Sequence, residues 1–248
     1  MSYKFNMKKI NLNSIKDFIR VNKGKIITLA ICIIVFCIFA FGCTQSLYGM
    51  AESNISEYRK NLFIGSDDNI TASLTSGQRE DNYLYDGKPG KLVDFGMLTV
   101  KYTGTTPEYL PSYTLTIDGQ EYTGTMQFNT INGTFAADIG KQIKDNADVY
   151  LRLHSDLGDE QLSMPCVSCN FKIDYNSAFK IAVDQMKDVI NSKIDDSGIL
   201  NGEFFIKIIG DRQVDVNNIY WYVLFVGTDG TSNACVIDTQ SGAVISSK

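Results

Sequence analysis

One histidine, His154, stands in 248 residues, beside one tryptophan and four prolines. A lone histidine excludes a histidine-cluster metal site, and no Ser-His-Asp set can be argued from one imidazole at the end of a strand. The C-x-x-C at Cys166–Cys169 has no second copy. A four-ligand zinc site would need Cys166, Cys169, His154 and Cys235 to converge, which their spacing does not support. No glycine-rich phosphate loop is present. Prolines are few and 44% of residues are hydrophobic. Large-scale disorder is thereby excluded, because apolar surface is sufficient to offset chain entropy. Basic residues become scarce after residue 25, where 16 face 27 acidic ones. That balance argues against nucleic acid and against a polyanionic wall polymer as ligand.

The basic residues that are present concentrate at the start. Residues 1–25 hold seven (Lys4, Lys8, Lys9, Lys16, Arg20, Lys23, Lys25) against Asp17 alone. Directly behind them, Ile26 to Gly42 contain no charge. As a helix this run spans roughly 25 Å, the short end of a membrane crossing. The charge asymmetry keeps residues 1–25 cytoplasmic and sends the acidic remainder across, with the helix in contact with membrane lipid. Residues 26–45 then read as a retained transmembrane anchor or as a lipoprotein signal. Gly42-Cys43 has the small residue before a cysteine that lipidation at Cys43 requires, but Ala40 and Phe41 fit that motif poorly. The basic segment is also long for a cleaved signal. The retained anchor is therefore the first expectation and Cys43 lipidation the second. A pilin-like subunit is a third, from Gly24 before the apolar run, although Leu29 stands where pilins carry an acid.

Beyond the anchor, about 200 residues suit one large or two small domains. Met50, Ile55, Tyr58 and Leu62 form a loose helical stripe, so residues 46–69 are expected to be a helical stalk. Residues 70–173 read as β structure. Asp118-Gly119 predicts a hairpin inside 113–128, Asn132-Gly133 a second turn, and Val149, Leu151 and Leu153 alternate along one strand. A last strand is expected at Val167–Ile173. Short strands with turns at this spacing predict a β-sandwich.

The pattern changes at 174. Phe179, Ala182, Val183, Met186 and Ile190 share a helical face, with Asn176 or Asp174 as cap. Strands are predicted at 203–210, 219–227 and 233–238, with Asp229-Gly230 turning between the last two, and a short one at 243–246. The expected class is α+β and mostly β: an N-terminal membrane helix, a β-sandwich, then one helix on a small antiparallel sheet. Residues 174–248 also carry a resemblance. Val236-Ile237-Asp238-Thr239-Gln240-Ser241-Gly242-Ala243-Val244 resembles the ending of PepSY-type domains, where a Val-Asp strand end leads through a Ser/Thr-Gly turn to a last short strand. Tyr222, Val223 and Phe225 before the Asp229-Gly230 turn fit as well. Such domains occur in bacterial surface proteins and peptidase propeptides. The resemblance implies a non-catalytic binding or regulatory role outside the cytoplasm.

Candidate chemistry is sparse. Cys166 and Cys169 are read first as a local disulfide, with a redox dithiol or half a metal site as alternatives. Cys235 is expected to be a buried small hydrophobe, able to bridge either one only if the sheets bring it within reach. The acids of Asp67-Asp68, Asp156 to Glu160 and Asp195-Asp196 read as solvated, and the second group, which could offer oxygen ligands to calcium, lacks the spacing of a calcium loop. Asp238 is expected to bind turn amides. Tyr83, Tyr85, Tyr109, Tyr113, Tyr220 and Trp221 divide between core and a recognition patch. The expectation is a membrane-anchored extracytoplasmic protein with no catalysis, metal or cofactor that binds a protein or peptide partner. A thiol–disulfide or metal protein centred on Cys166/Cys169 is the alternative.

Overall fold

The computed structural model describes residues 46–81, 84–210 and 218–248. The anchor segment, Cys43, Gly24 and Tyr83 lie outside them. Among the described residues no helix is long and apolar enough to cross a membrane. Leu47–Lys248 forms one compact unit, built mostly of β-strands.

A short helix α1 (Leu47–Glu52) is followed by strands β1 (Ile55–Ser66), β2 (Ile70–Glu80), β3 (Leu92–Tyr102), β4 (Ser112–Ile117), β5 (Gln120–Thr125), β6 (Gln127–Asn129), β7 (Thr134–Asp138), β8 (Val149–Ser155) and β9 (Gly158–Ser163). A 3-10 turn at Ser168–Asn170 leads to helices α2 (Tyr175–Gln185) and α3 (Lys187–Asn191), and strands β10 (Gly202–Gly210), β11 (Ile219–Gly227), β12 (Ser232–Asp238) and β13 (Val244–Ser247) close the chain. One nine-stranded sheet runs β13-β12-β11-β10-β1-β2-β3-β7-β6, and a four-stranded antiparallel sheet runs β5-β4-β8-β9.

The expected helical stalk is corrected. Only Leu47–Glu52 is helical, and Ile55–Ser66 is the central strand of the large sheet, antiparallel to β2 and parallel to β10. Both of its faces are buried: Leu62 enters one core and its neighbour Phe63 the other. A strand covered on both faces loses the polar–apolar alternation that marks a half-buried one, so the helical stripe was coincidental. Tyr48 packs on Phe179 with centroids 5.5 Å apart. The strand expected at Val167–Ile173 is also absent. Cys166 makes one isolated bridge to Phe63 and the chain then turns. The Cys166–Cys169 disulfide holds those Cα atoms 5.6 Å apart, where a strand would separate them by about 10 Å.

The helix and strands predicted after 174 are present. Asp174 is the cap and accepts from the Ser177 amide. Phe179, Ala182, Val183, Met186 and Ile190 are all buried. They form the first core with Phe204, Ile206, Trp221, Val223 and Phe225. The C-terminal strands are not a separate small sheet, however, because β10 pairs with β1. The second core joins β1–β3 to the small sheet through Phe63, Leu74, Leu98, Leu115, Val149 and Leu151. The sandwich expected for 70–173 therefore borrows β1, and one sheet serves both cores.

A buried carboxylate cluster and an open sheet edge

Three acids lie buried where β1 and β10 begin and β2 ends: Glu57, Glu80 and Glu203. The register fixes this placement, since Glu57 faces Arg79 across β1–β2 and Phe205 across β1–β10. Ser56 occupies the irregularity between Ile55 and Glu57, where β1 carries an extra residue against β10. Glu57 is paired with Arg59 and Lys207. Glu80 and Glu203 have no ion pair among the described residues and are 4% and 0% exposed.

A loop after β2 covers these acids. It closes through the Asp81 amide on the Lys91 carbonyl. Gly87 donates its amide to Glu203 Oε1 at 2.8 Å, and the Tyr85 ring lies 4.4 Å from that of Phe205. Gly87 has φ +77, and a Cβ there would sit 2.4 Å from the Thr228 nitrogen, so glycine is required. Among the described residues, three polar atoms beneath the loop have no hydrogen-bond partner: Glu80 Oε1, Glu203 Oε2 and Ser56 Oγ. Burial lifts the Glu80 carboxyl to about 6, and the charge of Glu203 adds to the rise. Ser56 and the Gly90 amide oppose part of it. In the sequence, Asp86-Gly87 and Pro89-Gly90 mark only the turns of the covering loop. The acids themselves look solvated in sequence.

A second feature is a groove of about 640 Å³ at the β6 end of the large sheet. Met97, Tyr113, Phe128, Ile131 and Ala137 line it beside Asp138. Phe128 is 43% exposed and Ile131 96%. Among the described residues strand β6 pairs only with β7, and its other edge is open.

The remaining expected residues scatter. Cys166 and Cys169 are joined, while Cys235 is buried in the first core with a free thiol that burial pushes up. His154 contacts Asp159 at 2.9 Å on the β8–β9 hairpin. Cys235 and His154 thus have separate surroundings from the disulfide, and among the described residues no group of three His, Cys, Asp or Glu is arranged for a metal. Asp67, Asp195 and Asp238 each accept turn amides. Glu160 accepts from Asn69 and Asp156 from the Glu108 amide. Trp221 and Tyr113 are core residues, whereas Tyr85 and Tyr109 are exposed.

The disulfide lies at the surface. Cys169 is exposed, at a pocket shared with Lys60, Phe171, Tyr175 and Trp221. Cys166 Sγ is 3.2 Å from the Cys169 amide and 3.6 Å from Ser168 Oγ. Comparison with known protein families, characterised proteins and solved structures finds no match to this chain.

Proposed function

We propose that the chain is a membrane-anchored, extracytoplasmic, non-catalytic binding protein that receives an extended segment of a protein or peptide partner along the β6 edge. The observation that carries this reading is the open edge of β6 beside exposed Phe128 and Ile131. An unpaired edge offers main-chain hydrogen bonds to an incoming strand, and apolar side chains beside it give selectivity. The basic segment 1–25 before the uncharged run supports the anchor and its orientation. The helix packed on β10–β12 supports, as a proposal, the PepSY-like reading of 174–248.

A photoreactive residue placed at Ile131 of the full chain in intact cells tests this. One defined cross-linked partner at Ile131, none from Ile199, and loss of the product with Phe128→Asp are expected. Equal labelling at both positions, or no specific partner, would refute the reading.

A second reading, thiol–disulfide exchange, rests on the exposed Cys169. A partner thiolate attacking Cys169 Sγ would form a mixed disulfide and release the Cys166 thiolate, beside the Cys169 amide and Ser168 hydroxyl. A second partner thiol would then leave Cys169 reduced and the partner oxidised. Redox titration of the full chain decides it. A midpoint above about −300 mV supports exchange, and a lower one marks a structural bond.

A further inference from the structure

We infer that Glu80, Glu203 and Ser56 form a binding site for one hard divalent cation of the calcium class beneath the 84–90 loop. Three adjacent strands supply the donors, one each: Ser56 from β1, Glu80 from β2 and Glu203 from β10. Each presents a buried oxygen with no hydrogen-bond partner among the described residues. A buried polar group without a partner is costly, and three gathered at one place share a common remedy. The Ser56 hydroxyl is fully buried beside the Glu80 carboxyl and lowers its proton affinity, while neither Ser56 Oγ nor Glu80 Oε1 finds a partner at full hydrogen-bond geometry among the described residues. It is the donor that an acidic pair alone would lack.

Charge points the same way. Arg59 and Lys207 engage Glu57, the acid next to Ser56, and neither Glu80 nor Glu203 has an ion pair among the described residues. When both are ionised, two negative charges are enclosed together, and a doubly charged cation cancels them. The loop completes the arrangement from above. The Gly87 amide holds the other oxygen of Glu203, and the Gly90 amide acts on Glu80. Each carboxylate is thereby oriented with one oxygen left over. Two carboxylates and a hydroxyl are all hard oxygen donors, which suit calcium or magnesium, with no sulfur or imidazole to favour zinc or copper. The inference is independent of the β6 groove.

The experiment uses the full chain in detergent, stripped with EDTA at pH 7.5. Thermal unfolding is followed by Trp221 fluorescence while calcium chloride is added up to about 10 mM, beyond the range of weak extracellular sites, about 0.1–1 mM. Magnesium chloride is run in parallel. A saturable rise in Tm is expected, absent in Glu80→Gln and displaced to higher calcium in Ser56→Ala. Equilibrium dialysis with radioactive calcium supplies a second readout should Glu80→Gln fail to fold, with one ion per chain expected and weaker retention by Ser56→Ala. No binding to the wild type, or equal binding by Ser56→Ala and the wild type, would overturn the inference. So would a wild type that ignores calcium but gains stability on acidification, because the pair would then hold a proton.

Discussion

Glu80 ionises against its surroundings. Its carboxyl binds a proton more tightly in the fold than in the unfolded chain, about 6 against 4.5, through burial first and the charge of Glu203 second. The folded state is favoured by protonation, so this group's contribution falls as pH rises from 4.5 through 6 and is flat above. The shift corresponds to about 2 kcal/mol. In EDTA, Glu80→Gln is therefore expected to be about 2 kcal/mol more stable than the wild type at pH 8. The gap should close toward pH 4.5, and urea unfolding at the two pH values reads it. Gly87 makes a second residue-scale prediction. Alanine at its φ of +77 costs about 1–2 kcal/mol before its Cβ meets Thr228. Gly87→Ala should loosen the loop and speed tryptic cleavage after Lys91, while unchanged cleavage would show that the loop does not depend on this contact.

At the scale of elements, the parallel pairing of β1 with β10 decides the architecture. Asn54 secures its start by donating Nδ2 to the carbonyls of Leu200 and Gly202, at 3.0 and 2.6 Å. Asn54→Ala leaves both acceptors without this donor and is expected to cost about 1–3 kcal/mol in urea unfolding. The elements legible in the sequence are those whose cause is local. Asp118 and Gly119 both take positive φ, 50° and 80°, in the tight turn that the Asp-Gly pair announces. Asp174 caps α2 three residues before the amide it accepts, and Asp238 binds the turn amides of Gln240 and Ser241. The β1 strand was not legible, because its pattern answers to two cores and to a partner strand more than a hundred residues away. The carboxylate cluster was hidden for the same reason: Gly87 and Glu203 are 116 positions apart.

At the scale of the molecule, one sheet links the two cores, and β1 contributes Leu62 to one and Phe63 to the other. Unfolding is therefore expected to be a single transition. Fluorescence of Trp221, which reports the first core, should coincide with the loss of far-UV circular dichroism from all strands, whereas separated transitions would restore two independent domains. The membrane reading has its own measurement, the intact mass of the extracted protein with and without reductant. A full-length mass is expected for a retained anchor. A start at Cys43 with acyl chains would make it a lipoprotein, and a start at Lys25 a pilin-like subunit. Reduction should add about two mass units for the Cys166–Cys169 bond.

From the sequence alone came the abundance of β structure, the capped helix on an apolar sheet, the hairpins and the charge asymmetry around an uncharged run. Each arises from residues within a few positions of one another, where turn chemistry, capping and side-chain period act directly. Only the tertiary structure decided that 55–66 is a strand, that the C-terminal strands extend the first sheet, and that Ser56, Glu80 and Glu203 meet under a loop. Those outcomes depend on burial and on pairing between distant segments, and the free energy of a buried carboxylate is set by what surrounds it in space.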